Sequence, residues 1–167
     1  LITLLWEKGA KRILAGDSPG MQTGRFNPVN SGLRKVAEET GAEIVDFRES
    51  TRIHEVEGIR IPMTDAIDQA DIVISAAKFK THQLMSATGA VKNMFGLVPG
   101  LQKSPMHLRA RTPESFARLI LSIFREAHVD YAVIDAIEGM EGAGPTNGQP
   151  RHVGLLMGSE NAFALDK

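Results

Sequence analysis

The residues of this chain best able to do chemistry crowd into one stretch, Lys78 to His107, which reads KFKTHQLMSATGAVKNMFGLVPGLQKSPMH. Lys78, Lys80, Thr81 and His82 come first. Thr88, Gly89, Lys92 and Asn93 follow, and a Pro99-Gly100 turn and His107 close the stretch. A lysine ammonium is a point charge suited to a carboxylate or phosphate, and a desolvated lysine becomes a nucleophile. An imidazole binds metal or moves a proton near neutral pH. Thr81, Thr88 and Asn93 offer groups that orient a ligand. One at a time, such residues are ordinary: a lysine after a strand is usually solvated, and a single histidine is usually structural. Their density is what points to a site. Lysine, threonine and histidine set between an apolar strand and a glycine-containing segment make a poor core.

The elements that must position these groups follow from the apolar pattern. Asp71 to Ala77 is short and β-branched, and it predicts a buried strand leading into the polar stretch. Lys11 to Ala15, Ala42 to Phe47, Tyr131 to Ile137 and His152 to Met157 predict further strands. Helices are predicted over Leu1 to Gly9, from a Ser31 cap to Gly41, from Thr64 or Asp65 to Ala70, within Ser86 to Phe95, and from Phe163. The clearest begins at Thr112-Pro113-Glu114, where Phe116, Leu119, Ile120, Ile123 and Phe124 give one apolar face. Arg52 to Pro62 alternates around Glu57-Gly58 and predicts a β-hairpin, with His54 solvated on it.

Together these predict an α/β fold over residues 1–167: one domain, with a mainly parallel sheet flanked by helices and a hairpin excursion near residues 52–62. In open sheets of that kind, ligands bind beyond the carboxyl ends of the strands. Asp17 and Ser18, after the first strand, would then share a cleft with Lys80, Thr81 and His82. Glu138 to Gly148 would form a lip. The chain opens at Leu1 inside an expected helix and stops at Asp166-Lys167, which points to a piece of a longer polypeptide.

Composition narrows the function classes. A net charge of -1 provides no basic field for nucleic acid or an anionic membrane, and 5 % aromatics make a base-stacking surface improbable. No apolar run approaches the roughly 20 residues of a membrane span, and no stretch has the charged start and small-residue cleavage site expected of a signal peptide. With no cysteine, the chain cannot hold an iron–sulfur cluster or zinc thiolate of its own. The reducing cytosol suits it, and a cytoplasmic location is the expectation. The phosphate-loop, dinucleotide, zincin and nucleophile-elbow templates are all missing.

Lys80-Thr81-His82, Thr88-Gly89-Ala90-Val91-Lys92-Asn93, Phe95-Gly96, His107, Asp135-Ala136-Ile137-Glu138-Gly139-Met140-Glu141-Gly142, Gly144-Pro145 and Ala164-Leu165-Asp166 together resemble the domain of unknown function 362 family, along essentially the whole chain. Members of that family are often longer and many carry a ferredoxin-type iron–sulfur module, so the resemblance implies such a module in the full-length protein. The succession His82, Gly89, Lys92, Pro99-Gly100, His107 is more distantly similar to a segment of the nickel-pincer lactate racemases. That resemblance implies Lys92 as the cofactor anchor, His107 as a metal ligand and His82 as an acid/base. Where that family has paired glycines, this chain has Ala90-Val91, and Asp17-Ser18 stands where its upstream histidine would be sought.

The expectation is a strand-end cleft for a small anionic ligand, carboxylate or phosphate. Lys80, His82, Lys92 and His107 carry it, and Thr81, Thr88, Asn93, Asp17 and Ser18 orient. Three versions stay open: an enzyme with a nickel-type or covalent cofactor, a plain anion-binding module, and a non-catalytic partner domain of an iron–sulfur electron-transfer protein.

Overall fold

The computed structural model describes residues 1–18, 32–145 and 147–167. Ser31, the expected cap of the second helix, lies outside them. The fold is α/β, and the described residues gather in two compact units. The first comprises Leu1–Ile53, Pro62–Gln69 and Gly96–Pro105; the second comprises His54–Ile61, Ala70–Phe95 and Met106–Lys167.

In the first unit, helix α1 (Ile2–Glu7) precedes strand β1 (Leu14–Asp17), and helix α2 (Gly32–Thr40) precedes strand β2 (Glu43–Asp46). β1 and β2 pair in parallel, from Leu14 opposite Glu43 to Asp17 opposite Asp46. The Trp6 indole N–H donates to the Thr40 carbonyl at 2.7 Å, tying α1 to the last turn of α2. Strands β3 (Thr51–Val56) and β4 (Ile59–Thr64) form the expected hairpin, of which His54–Ile61 count with the second unit. Both central residues of its turn have positive φ, Glu57 at 50° and Gly58 at 77°. That is the I′ geometry, whose twist matches that of the flanking strands. His54 on β3 is not solvated: it is 4 % exposed, with Nδ1 2.7 Å from the Glu126 carboxylate. An imidazole with a carboxylate partner can be buried where a lone one would be costly.

The second unit is built on a four-stranded sheet in the order β6-β5-β7-β8. Its strands are β5 (Val73–His82), β6 (Ser86–Thr88), β7 (Val129–Ala143) and β8 (Asn147–Ser159). The expectation of a mainly parallel sheet is met only in part. β5 and β7 are parallel, but β6 runs antiparallel to β5 and β8 antiparallel to β7. The cause is local: residues expected to form the loop after Ile137 continue as strand and fold back as a long hairpin with β8.

Helix α3 (Ala90–Asn93) sits on this sheet; α4 (Gly100–Arg109), whose residues up to Pro105 count with the first unit, α5 (Pro113–Glu126) and α6 (Ala162–Asp166) follow in sequence. α5 starts as its sequence dictates: the Thr112 hydroxyl accepts from the Ser115 N–H, the Ser115 hydroxyl accepts from the Thr112 N–H, and Pro113 takes the first turn. Phe116, Leu119, Ile120 and Ile123 form its buried face. One buried cluster, between the sheet and two of the helices, is made largely of small residues. Ala77, Ala132, Ile134 and Ala136 from the sheet meet Ala90 and Ala162 from α3 and α6. Alanine at these positions lets helix backbone approach the sheet closely.

α3 has four residues and is pinned from outside. The Asp166 carboxylate accepts the N–H groups of Ala90 (2.6 Å) and Val91 (3.0 Å). The Ser75 hydroxyl donates to the Ala90 carbonyl at 2.8 Å, and Asn93 Nδ2 donates back to the Ser75 hydroxyl and the Ala76 carbonyl. Gly89 lies where a Cβ would come within 2.2 Å of Asp166 Oδ1, at an ordinary φ of -127°. Space rather than backbone conformation requires glycine there. Gly89→Ala is therefore expected to cost about 1–3 kcal/mol in urea denaturation, because the carboxylate must leave its two donors. In an Asp166→Ala background the same change is expected to cost less than about 0.5 kcal/mol. Equal costs in the two backgrounds would mean that the contact does not constrain Gly89.

Candidate functional site

The polar stretch begins while β5 is still a strand. Lys78, Lys80, Thr81 and His82 are its last residues, not a loop beyond it. Val73 to Lys78 pair with β7 up to Lys78 opposite Asp135. The register then breaks, and Lys80 falls opposite Met140. The β7–β8 ladder breaks near the same level, between Ala136 and Glu138. Such irregularities bend strands and re-aim side chains, and they concentrate near sites. At the ladder's regular end Lys78 Nζ donates to the Asp135 carboxylate at 2.9 Å, and this ion pair holds the Asp135 carboxyl below its ordinary range.

His82 is the electrostatic centre of this end. Burial pushes its imidazole down to about 4, and Lys92 and then His107 push it in the same direction. The three predicted residues thus act on one another although ten or more positions separate them. The ring's hydrogen bonds fix its form. Nδ1 accepts the backbone N–H groups of Leu84 and Met85, each at 3.2 Å. A nitrogen that accepts two donors keeps its lone pair, so the neutral ring carries its proton on Nε2. At neutral pH the ring is uncharged and leaves Nε2–H as its donor.

His107, in the last turn of α4, is held between aromatic rings. It stacks on Phe116 with centroids 4.2 Å apart and meets Phe95 edge-on at 5.4 Å. Those contacts fix the plane of the imidazole. Lys80 faces Thr88 across the β5–β6 ladder. The Thr88 hydroxyl is buried and has no hydrogen-bond partner among the described residues. Thr81 and Asn93 use their side chains within the fold. The Thr81 hydroxyl donates to the Gly142 carbonyl at 3.0 Å, and the Asn93 amide binds Ser75 and Ala76 as described above.

Asp17 and Ser18 belong to the first unit and are described within it. Ser18 is fully buried. Its N–H donates to Asp17 Oδ1 at 2.7 Å, its hydroxyl accepts from the Gly100 N–H at 2.8 Å, and its carbonyl accepts from the Lys103 ammonium. Ser18 thus caps the first turn of α4. Lys103 escaped the sequence reading. Burial pushes its amine down to about 8, and the Asp17 carboxylate opposes the shift. Asp166 escaped as well. In sequence Lys103 is one more lysine after a Pro-Gly turn, and nothing local marks it as buried.

The cofactor implied by the racemase resemblance would take Lys92 and His107 as donors. Their shared influence on His82 fits a common neighbourhood. His82 Nδ1 already accepts two backbone N–H groups, and burial lowers the basicity of the ring. Among the described residues no three His, Asp or Glu side chains are grouped to hold a metal ion.

The His82 shift carries a pH signature. The unfolded imidazole takes a proton near 6.5, while the folded one waits until about 4. Stability is therefore expected to fall as pH drops through that window and to be insensitive to this group above it. In NMR titration the His82 ring signals are expected to stay flat from about pH 5 to 8. Lys92→Met is expected to raise the apparent value toward that of an ordinary histidine. A His82 that titrates normally in the native chain would refute this electrostatic description.

Comparison with known proteins gives the chain its family. A thylakoid-associated protein of Synechocystis sp. is 33 % identical over 165 residues, covering 98 % of this chain and 51 % of that protein. The chain thus spans about half the length of the curated relative it matches. No solved structure matches. The family described as Domain of unknown function (DUF362) matches over residues 1–167, and the chain belongs to it.

Proposed function

We propose that the β5 end of the second unit binds a small anion, a carboxylate or phosphate, through Lys92, the Nε2–H of His82 and the Thr88 hydroxyl, with Lys80 beside them. One observation carries this: beyond burial, Lys92 and His107 are the groups whose charge acts on His82, which puts the three within electrostatic reach of one another. An ammonium in a partly desolvated place favours an anionic ligand. A neutral donor next to an ammonium suits a carboxylate or phosphate oxygen, which accepts from both. The Thr88 hydroxyl, buried without a partner among the described residues, would gain one. In this reading His82 positions the ligand and does not shuttle protons. Binding should then change little with pH near neutrality on its account.

Calorimetric titration with inorganic phosphate and with acetate tests the proposal. Lys92→Gln is expected to weaken binding by about tenfold or more, with circular dichroism and melting unchanged. Unchanged affinity would end the anion reading; lost structure would assign Lys92 to the fold.

The nickel-pincer version would make Lys92 the covalent anchor and His107 a ligand of a Lewis-acidic, redox-active group. Its test is independent of activity: intact mass and elemental analysis of the purified chain. That version is expected to show excess mass on Lys92 together with nickel. A mass equal to that of the bare sequence, with no nickel taken up, would remove it. The iron–sulfur partner version would show as specific association with a cysteine-rich chain or segment of the full-length protein.

A further inference from the structure

The second unit contains a cavity of about 360 Å³ beside the proposed anion site. Its size lies at the lower end of the roughly 300–1,000 Å³ typical of small-molecule sites. Phe79, Val91, Ile120, Leu121 and Phe163 give it hydrocarbon and aromatic walls, and Lys92 also lines it. Lys92 therefore takes part in both places: it acts on His82 and it borders the cavity. The Asp166 carboxylate reaches the cavity too, but it already accepts two backbone N–H groups at the start of α3. Lys167 lines it as well, so two lysines and one carboxylate border the cavity. Phe163 is 50 % exposed and meets Phe124 edge-on at 5.1 Å, so it forms an accessible wall. An apolar chamber with a cation at one side matches a molecule that has the opposite sign at one end and hydrocarbon at the other.

Resting on the anion reading, we infer that the ligand is an amphipathic carboxylate, with its acid group at Lys92 and His82 and a medium-length hydrocarbon body in this cavity. No bond is made or broken in this step; it is a statement about recognition. The acid end alone would bind weakly, and the body would supply most of the affinity by leaving water.

The experiment compares acetate with octanoate as probes on the full chain. Calorimetry gives the affinities, and NMR follows the methyl signals of Val91, Ile120 and Leu121. Octanoate is expected to bind at least about tenfold more tightly than acetate and to move those methyl signals, while acetate leaves them in place. Leu121→Trp, which fills the chamber, is expected to bring the octanoate affinity down to that of acetate. Should this variant fail to fold, the methyl shifts in the native chain decide instead. If acetate and octanoate bind equally and both are lost in Lys92→Gln, the amphipathic ligand is wrong and the anion site stands. If octanoate binds indifferently to Lys92→Gln, it is adsorbing to hydrocarbon only, and the inference fails. If neither acid nor phosphate binds at all, the anion reading fails and this inference with it.

Discussion

The Asp166 carboxylate, bound to the N–H groups of Ala90 and Val91, is the contact on which the second unit's chemistry rests. A helix of four residues has no stability of its own, since nucleation costs more than one turn returns. α3 exists because other elements hold it. Asp166 takes its first donors, the Ser75 hydroxyl takes its first carbonyl, and Asn93 ties its end to β5. Alanines beneath it, Ala77 and Ala132 among them, let it lie close to the sheet. Lys92 is in the middle of this clamp. Its place relative to His82 is thus set by a residue at the far end of the chain, 76 positions from Ala90.

That placement sets the electrostatics. A lysine held near a half-buried imidazole suppresses protonation of the imidazole, and burial does the larger share. The two N–H groups arriving at His82 Nδ1 work in the same direction, because they need an unprotonated nitrogen. Charge, burial and hydrogen bonding therefore agree on one protonation state. The first unit solves a related problem differently. Lys103 is also desolvated, but it has the Ser18 carbonyl and the Asp17 carboxylate, and the latter opposes the loss of its charge.

The elements that local chemistry specifies were legible in the sequence. Thr112-Pro113 started α5 as expected, Glu57-Gly58 made the hairpin turn, and the Tyr131 and Asp71 runs became neighbouring strands. What was not legible depended on distant partners. Glu138 to Ala143 looked like a glycine-rich loop, but across from it β8 supplies the ladder that makes it strand. His54 looked solvated because Glu126 is 72 residues away. α4 was hidden because Gly100 and Pro105 weaken the local helical signal, while its first turn is capped by Ser18 from the end of β1. The candidate site divides along the same line. The residue types in Lys78 to His107 were visible, and the sequence could not say how His82, Lys92 and His107 bear on one another. The capping roles of Asp166 and Ser18 were not visible, because a side chain that caps a remote backbone leaves no pattern around itself.

Spacing in sequence and chemistry in space are separate matters here. His82 and Lys92 are ten positions apart, and both β6 and the start of α3 lie between them. The same spacing could serve a histidine that accepts protons from a substrate, provided that its Nδ1 met a carboxylate or a carbonyl. In this chain Nδ1 meets two N–H donors instead, which keeps its lone pair engaged. A donor on Nε2 orients an acceptor; it does not withdraw a proton. The backbone turn after His82, through Leu84 and Met85, thus bears on the tautomer of the imidazole as well as the residue type does. A motif carried on another fold's turn need not carry the same chemistry.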